Sequence, residues 1–378
     1  MISPRITVVL ATGGTGGHVF PAEALAAQLC ERGIEPVLFT DRRGVSFGGD
    51  LQVRRIRGGG IAGRTAWGRA RSLCALGAGL IGAAWGLRWV KPAAVVGFGS
   101  YASVPTVLAA AWLGIPAIIQ EQNAVLGRAN RLLAPRAQRI ATAFETVALL
   151  PGGAEAKVVR TGMPVRPAFA RLRERAYQPP DPGNPIRLVV LGGSQGAKVF
   201  GEVVPAAVDR LTARLRSRLA IAQQCRPEGL PEVEDAYRRI GITAELAGFF
   251  EDVPQRLASA HLLIARAGAS TIAEVTAIGC PAILVPYPFA TDDHQTANAQ
   301  MLAEAGGAWL MPQETLTPEG LAAQLEHLLS RPAQLSAAAA AARAAGCERA
   351  AARLADLVLE TIGAEPPEPA LTTGRLAA

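Results

Sequence analysis

Short apolar runs alternate with longer Ala- and Leu-rich segments along nearly the whole chain. The runs in the first half are ITVVLA, EPVLFT, LQVRRI, AAVVGF, PAIIQE, RIATAF and KVVRTG; those in the second half are IRLVVL, LAIAQQC, TAELAGFF, HLLIARAG, PAILVPYP and AWLMP. Strand-type runs separated by helical segments are typical of parallel sheets covered by helices. We therefore predict an α/β protein.

The strand pattern predicts two domains in tandem. An apolar strand, a glycine turn and a helix begin at ITVVLATGGTGGH and again at IRLVVLGGSQG, after the proline-rich break YQPPDPGNP. We predict two Rossmann-like doubly wound domains, at 1–163 and 164–340, with a hinge near 162–167. A helix at about 341–362 is expected to pack back on the first domain, and the tail 363–378 is predicted to be disordered.

Composition narrows the classes of partner. Half of the 378 residues are hydrophobic, and the formal net charge is +7. This charge favours anionic partners such as phosphates or an acidic membrane surface. Nucleic acid is not expected, because no dense run of Lys and Arg alternates with aromatic residues. The five cysteines lack short spacings, which indicates reduced thiols, and the four histidines lack paired spacing, so no metal site is predicted.

One segment of the first half resembles a membrane-interface helix. The 16 uncharged residues at 72–87 are fewer than a bilayer span needs, so a transmembrane anchor is not expected. Indoles and cations flanking aliphatic residues suit the membrane interface instead. The predicted membrane patch consists of Trp67, Leu76, Leu80, Trp85, Arg88, Trp89 and Lys91. The alternative is a core helix with solvated arginines.

Both glycine turns are candidate ligand sites. Glycines after a strand let a ligand approach the backbone, and the next helix offers free N–H groups. Neither turn is a known nucleotide fingerprint: the dinucleotide pattern would need glycine at Val19, and a P-loop would need it at Ala197. Because open α/β sheets bind ligands at the carboxyl ends of their strands, two such turns predict one cleft lined from both domains.

Three further strands end in polar clusters. These clusters are EQN with Glu121 and Asn123, RAGASTIAE with Glu274, and FATDDHQTANA with Asp292 and Gln295. Polar residues at several strand ends in both halves are expected to converge on the same cleft.

Structural explanations also exist for these clusters. Thr271 and Glu274 fit a capping box, Asp292 fits a helix cap, and Arg266 fits a salt bridge as well as a phosphate contact.

Seven motifs in order identify a family resemblance. GGTGGHVFP, GFGSYASVP, QEQNAVLGRAN, GMPVRP, LGGSQGA, RAGASTIAEV and DDHQTANA resemble the bacterial peptidoglycan N-acetylglucosaminyltransferases, over about residues 5–345. The resemblance implies the GT-B glycosyltransferase fold. It also implies inverting transfer of N-acetylglucosamine (GlcNAc) from UDP-GlcNAc to the C4 hydroxyl of N-acetylmuramic acid (MurNAc). The acceptor is undecaprenyl-diphospho-MurNAc-pentapeptide (lipid I), and the product is lipid II.

The resemblance implies a location and partners as well. It implies a peripheral enzyme on the cytoplasmic face of the inner membrane that uses no cofactor. Proteins of cell-wall synthesis and cell division are further possible partners.

The resemblance also implies which residues of this sequence form the substrate site. It implies that Glu274 binds the ribose hydroxyls, that the Phe250 backbone reads the uracil, and that Gln295 reads the GlcNAc hydroxyls. The implied UDP-GlcNAc contacts are Thr15, Gly16, Gly17, Asn123, Arg166, Ser194, Phe250, Gly268, Ala269, Ser270, Thr271, Ile272, Ala273, Glu274 and Gln295.

The implied acceptor side consists of His18, Tyr101 and Glu121. Since histidine titrates near neutral pH, His18 is the best candidate for the general base, with Glu121 second. The chain has no D-x-D motif, so Arg166, Ser194 and helix N–H groups are expected to stabilise the leaving diphosphate. Ser100 departs from the family pattern, standing where glycine can occur.

Three other functions remain as alternatives. The first is a UDP-GlcNAc 2-epimerase, or another GT-B enzyme such as a diacylglycerol glycosyltransferase acting on a glycolipid. The second is an NAD-dependent dehydrogenase with Asp41 as the ribose carboxylate. The third is a non-catalytic membrane adaptor.

Overall fold

The structure is a computed structural model that describes residues 6–13, 16–40, 52–56, 66–193 and 196–364, with the side chains of 66–74 left out. Several predictions lie outside the described part. These are the roles of Thr15, Ser194 and Asp41, the side chain of Trp67, and the disorder of the tail beyond residue 364.

The first half contains a parallel seven-stranded sheet in the order β3-β2-β1-β4-β5-β6-β7. Its strands are β1 Thr7–Ala11, β2 Glu35–Thr40, β3 Gln52–Arg55, β4 Ala94–Gly97, β5 Ala117–Glu121, β6 Arg139–Thr142 and β7 Val158–Arg160. The helices between them are α1 Gly16–Glu31, α2 Ala66–Val90, α3 Ser100–Trp112 and α4 Arg128–Leu133, and a 3-10 turn covers Glu155–Lys157. In register, Val9 pairs with Val37 on one side and Val95 on the other.

The second half repeats this plan with six parallel strands in the order β10-β9-β8-β11-β12-β13. The strands are β8 Ile186–Leu191, β9 Leu219–Gln224, β10 Ala244–Ala247, β11 Leu262–Ala265, β12 Ala282–Leu284 and β13 Ala308–Leu310. The helices are α5 Pro167–Leu172, α6 Lys198–Asp209, α7 Ala213–Arg216, α8 Leu230–Arg239, α9 Val253–Ser259, α10 Ala269–Ile278, α11 His294–Glu304, α12 Pro318–Leu329, α13 Pro332–Ala345 and α14 Ala350–Ile362. Further 3-10 turns cover Pro227–Gly229, Thr291–Asp293 and Gln313–Thr315. Each of the thirteen predicted runs contains one of these strands, which confirms the α/β prediction.

Helices cover both faces of each sheet. Along β1, Val9 belongs to one buried cluster while Val8 and Leu10 belong to another on the opposite face. Along β8, Leu188 and Val189 likewise belong to two different buried clusters, one on each face of the sheet. Because side chains alternate along a strand, successive apolar residues of these central strands are buried on opposite faces of the sheet.

The last two helices of the chain pack against different halves of the protein. α13 packs against α10, whereas α14 packs against α1 and β4, where Leu354 and Val358 share a buried cluster with Leu25. The connection passes close to β7, where Cys347 Sγ lies 3.0 Å from Thr161 O. The exact domain boundaries remain predictions.

The members of the predicted membrane patch differ in exposure. Leu76 and Leu80 are half-buried and pack against the core of the first half next to α3. Trp85 and Trp89 are 74% and 67% exposed, and Ile81, which the prediction omitted, is 71% exposed. These three residues recur at intervals of four, so they lie on one face of α2. Among the described residues, no helix is both long and apolar enough to span a membrane.

Candidate active site

The predicted polar clusters lie at the carboxyl ends of parallel strands. Gly16, Gly17 and His18 form the first turn of α1, the helix that follows β1 in the chain. Glu121 ends β5, and residue 268 precedes α10 after β11. The sheet topology therefore brings residues that are far apart in sequence to the same edge of each half.

The second glycine turn has a structural requirement for glycine. A Cβ on Gly192 would lie 2.2 Å from Ala197 N, and Gly193 has φ of 81°. Gly192 N–H donates to Gln224 Oε1 over 3.2 Å, and Gln224 Nε2 donates to Gly248 O over 3.1 Å. The sequence analysis missed Gln224. In the sequence, a polar residue at the end of the otherwise apolar strand β9 could have indicated this role.

A cavity of about 260 Å³ contains the predicted acceptor side. His18, Tyr101, Glu121 and Asn123 of the first half line it, together with Asp292 and His294 of the second half. The structure therefore brings together all three residues assigned to the acceptor. At its rim, Ser100 has φ of 61°, in the left-handed region that favours glycine, which explains why glycine can occur there.

His18 is held in a neutral state. Burial lowers its pKa, and the charge of Glu121 opposes this effect only in part. Its Nδ1 atom is buried and has no hydrogen-bond partner among the described residues. Unpaired buried polar atoms are uncommon in proteins.

Glu121 organises the loop around His18. Its Oε1 accepts hydrogen bonds from Asn123 N and Nδ2, over 3.0 and 3.2 Å. Its Oε2 accepts hydrogen bonds from Gly127 N and Asn130 Nδ2, both over 2.8 Å. The carboxylate is buried, and four N–H groups donate to its two oxygens. Glu121 therefore acts as an anchor for residues 123–130, which weakens its case as the second candidate base.

Two predicted donor residues form an ion pair. Arg166 Nη2 lies 3.4 Å from Glu274 Oε1, although Arg166 precedes α5 and Glu274 lies on α10. The guanidinium also lies 5.2 Å from the ring centroid of Phe20, on α1. Burial raises the pKa of Glu274 to about 7, and the Arg166 charge limits this rise. Arg166 therefore connects Glu274 of the second half with Phe20 on α1 of the first half.

The start of α10 is open to a ligand. Gly268 is its N-cap residue and makes no side-chain cap, so the alternative explanation of Thr271 and Glu274 as a capping box is wrong. The predicted contacts at residues 268–271 and 273 are partly exposed, whereas the Ile272 side chain is buried. Only the backbone of Ile272 therefore remains available to a ligand.

The remaining predicted contacts lie at neighbouring strand ends. The Phe250 side chain is buried after β10, with the Arg256 guanidinium 4.1 Å from its ring centroid. The Gln295 side chain accepts a hydrogen bond from Tyr287 N over 2.9 Å. The backbone of Phe250 and the amide group of Gln295 are therefore fixed in place by the protein.

Two structural alternatives from the sequence are also corrected. Asp292 does not cap α11, whose N-cap is Asp293; it pairs with Arg128 and Arg131 on α4. The buried Arg266 forms no ion pair within the described residues and donates to Val285 O, Pro286 O and Gln313 Oε1 instead.

A larger cavity, of about 410 Å³, lies at the predicted hinge. Gly162 and Met163 line it, together with apolar residues of α10 and α11. It contains none of the titratable site residues, so its size does not identify the reaction centre.

Asn298 was missed by the sequence analysis, although it lies in the quoted motif DDHQTANA. The residue is fully buried on α11. Its Oδ1 accepts a hydrogen bond from Ala124 N over 2.8 Å, and its Nδ2 donates to Asn123 Oδ1 and Ala267 O, both over 3.1 Å. A polar residue among the buried positions of a helix was the signal.

Comparison with known families agrees with this architecture. Residues 8–142 match the glycosyltransferase family 28 N-terminal domain, and residues 187–354 match the glycosyltransferase family 28 C-terminal domain. Low-identity structural likeness supports the fold alone: a Neisseria meningitidis UDP-GlcNAc 2-epimerase aligns with a TM-score of 0.64 at 12% identity.

Closer relatives share a single description, "UDP-N-acetylglucosamine--N-acetylmuramyl-(pentapeptide) pyrophosphoryl-undecaprenol N-acetylglucosamine transferase". The protein of Paramagnetospirillum magneticum is 55% identical, covering 96% of this chain and 98% of its own length. That of Rhodospirillum centenum is 56% identical, covering 94% of each chain. The crystal structure of Acinetobacter baumannii MurG aligns with a TM-score of 0.77 at 31% identity, over 94% of this chain and all of that chain. The chain therefore belongs to glycosyltransferase family 28 and, within it, to the family of these N-acetylglucosamine transferases, which confirms the resemblance and the GT-B fold.

Proposed function

We propose that this chain transfers GlcNAc from UDP-GlcNAc to the MurNAc C4 hydroxyl of undecaprenyl-diphospho-MurNAc-pentapeptide. Relatives at 55% and 56% identity support this reaction, because their shared description names it. The observation that carries the proposal is the position of Arg166, next to both Glu274 of α10 and Phe20 of α1. A donor held by Arg166 and Glu274 would lie close to the cavity that contains His18.

The second half, at about 164–340, binds the donor in this proposal. Glu274 accepts hydrogen bonds from the ribose hydroxyls, and Arg166 contacts the diphosphate together with Ser194. The backbone N–H groups at the start of α10 lie beside them and favour negative charge. Phe250 contributes its backbone to uracil recognition, and Gln295 contacts the GlcNAc hydroxyls.

Bond cleavage places negative charge on the departing UDP. The anomeric C–O bond breaks, and its electron pair remains on the β-phosphate oxygen. The Arg166 guanidinium and the α10 N–H groups stabilise this charge, because fixed donors in a partly buried site need no reorganisation during the reaction.

The first half, at 1–163 with α14, binds the acceptor. Tyr101 and Asn123 line the acceptor cavity, and Thr15, Gly16 and Gly17 close on the donor. The C4 hydroxyl attacks the face opposite UDP, which inverts the anomeric centre. His18 takes the hydroxyl proton, since it lines the acceptor cavity and its lowered pKa favours the neutral imidazole.

The exposed face of α2 provides the contact with a membrane in this proposal. The undecaprenyl acceptor is anchored in lipid, so the enzyme must work at a membrane surface. Ile81, Trp85 and Trp89 lie on one face of α2, and Arg88 and Lys91 are exposed nearby. Indoles at headgroup level and cations facing acidic lipid would place the enzyme peripherally on the cytoplasmic face.

The test mixes the purified chain with UDP-GlcNAc and a lipid I analogue and follows UDP release and product mass. We expect UDP release only with acceptor, and a product heavier by one GlcNAc unit. Consumption of UDP-GlcNAc without acceptor would indicate the epimerase instead and would overturn the proposal.

A further inference from the structure

Asn298 joins the two halves at the centre of the cleft. On the side of the first half, its Oδ1 accepts the Ala124 N–H, and its Nδ2 donates to Asn123 Oδ1. On the side of the second half, Nδ2 donates to Ala267 O, one residue before the N-cap of α10. One side chain therefore fixes the beginning of residues 123–130, which we call the acceptor loop, and the start of α10, which we call the donor helix.

The contacts continue on the acceptor side. Asn123 Nδ2 donates to Glu121 Oε1 over 3.2 Å, and Glu121 also holds Gly127 N and Asn130 Nδ2. The negative charge of Glu121 in turn acts on His18. A continuous hydrogen-bonded path thus runs from beside His18, through Asn123 and Asn298, to the carbonyl that precedes α10.

The Asn298 side chain has no simple replacement at this position. It is fully buried, and its acceptor and both of its donor hydrogens are used. An apolar side chain would leave buried backbone groups of both halves unpaired, and an aspartate would keep the acceptor but lose both donors. Ionic contacts between Asp292 and α4 also join the halves, but they are partly exposed and less directional.

We propose that Asn298 is a positioning residue that sets the alignment of the donor with the acceptor. This inference rests on the proposed transfer reaction. Asn298 contacts the backbone of the donor helix start and the acceptor loop, so it fixes the distance between His18 and the sugar held by the second half. Loss of the side chain leaves both binding sites in place and disturbs their relative position.

The experiment compares Asn298→Ala, Asn298→Asp and wild type, with Gln300→Ala as the matched control. Gln300 is exposed on the same helix and bonds to Glu304 on that helix. With both substrates saturating, we expect kcat of both Asn298 variants to fall on the order of 10²-fold, because small misalignments of reacting groups have effects of this size. The affinity for UDP alone should change less than about three-fold, because Arg166 and Glu274 are retained.

A readout independent of activity is hydrogen exchange at the Ala124 amide. This amide should exchange about ten-fold faster in Asn298→Ala, which loses its acceptor, and stay protected in Asn298→Asp, which keeps it. Wild type that transfers no GlcNAc would refute the proposed function, while the exchange result would still report on the contact.

A double substitution tests the path. Asn123→Ala combined with Asn298→Ala should reduce kcat by less than the product of the single effects, because both remove the same hydrogen bond. The proposal is overturned if kcat in Asn298→Ala stays within three-fold of wild type. It is also overturned if UDP affinity falls in parallel with kcat, or if Ala124 exchange is unchanged.

Discussion

Arg166 and Glu274, which are 108 positions apart in sequence, lie 3.4 Å apart between Nη2 and Oε1. Their side chains are 28% and 17% exposed, so the pair is accessible to a ligand from one side. Burial raises the pKa of Glu274 to about 7 while Arg166 restrains this rise. The protonation of Glu274 is therefore sensitive to pH near neutrality.

Donor binding should depend on pH through Glu274. In the proposed function Glu274 accepts hydrogen bonds from the ribose hydroxyls, so we expect UDP-GlcNAc to bind best when Glu274 is ionised and to release a proton on binding below about pH 7. We expect the dissociation constant to rise by up to about ten-fold per pH unit below pH 7 and to level off above it. Calorimetry in two buffers of different ionisation enthalpy measures the released proton.

The Glu274→Gln variant is the control for this pH dependence. We expect UDP-GlcNAc affinity about 10- to 100-fold weaker than wild type at pH 8, since hydrogen bonds to a charged group are lost. The affinity should be independent of pH between 5.5 and 8, a range chosen around the Glu274 pKa of about 7. An unchanged pH dependence in this variant would assign the titration to another group.

His18→Ala should lose turnover without losing the donor. We expect kcat with lipid acceptor to fall by about 10²- to 10⁴-fold, the usual contribution of a general base. Because burial lowers the pKa of His18, wild-type kcat at saturating donor should stay level on acidification until the pH is below 6.5. His327→Ala, at an exposed histidine on α12, serves as the control. Near-normal turnover in His18→Ala would rule His18 out as the base.

Glu121→Gln should destabilise the fold. Each Glu121 oxygen accepts two N–H groups, so a glutamine amide nitrogen would face two donors in either orientation. We expect a loss of about 1–3 kcal/mol in the free energy of unfolding, measured with denaturant. Glu202→Gln removes an exposed ion pair with Lys198 on α6 and should change little. Full stability combined with abolished turnover would instead support Glu121 as the base.

Substitution of the exposed indoles should weaken membrane binding and leave turnover of a soluble acceptor unchanged. We expect Trp85→Ser and Trp89→Ser each to reduce binding to phosphatidylglycerol vesicles by about ten-fold, because less apolar surface enters the interface. Turnover of a water-soluble acceptor should stay within two-fold of wild type, since neither indole lines the acceptor cavity. Phe249→Ser, at an exposed aromatic residue of the second half, is the control for vesicle binding. Equal losses in all three variants would argue against α2 as the docking surface.

The local pattern of the chain determined much of the site. A parallel strand buried on both faces is mostly apolar and ends in a turn, so runs such as ITVVLA and IRLVVL predicted both the strands and the edge where ligands are expected to bind. His18 and Glu274 followed from their positions at these ends. His18 lies in the first turn of α1 and Glu274 lies on α10, so both residues belong to helices that begin at or directly after a glycine.

Only the tertiary structure decided how these residues are used. Glu121 became an anchor when Gly127 and Asn130 folded back onto its carboxylate, and Leu76 and Leu80 turned to the core when α3 packed against α2. Asn298 acquired its role because Ala124 and Ala267 approach it from different halves. The periodicity of apolar residues predicts which face of a helix or strand is buried. Which residues far apart in sequence come into contact depends on how the helices and sheets pack together, and the sequence pattern does not contain that information.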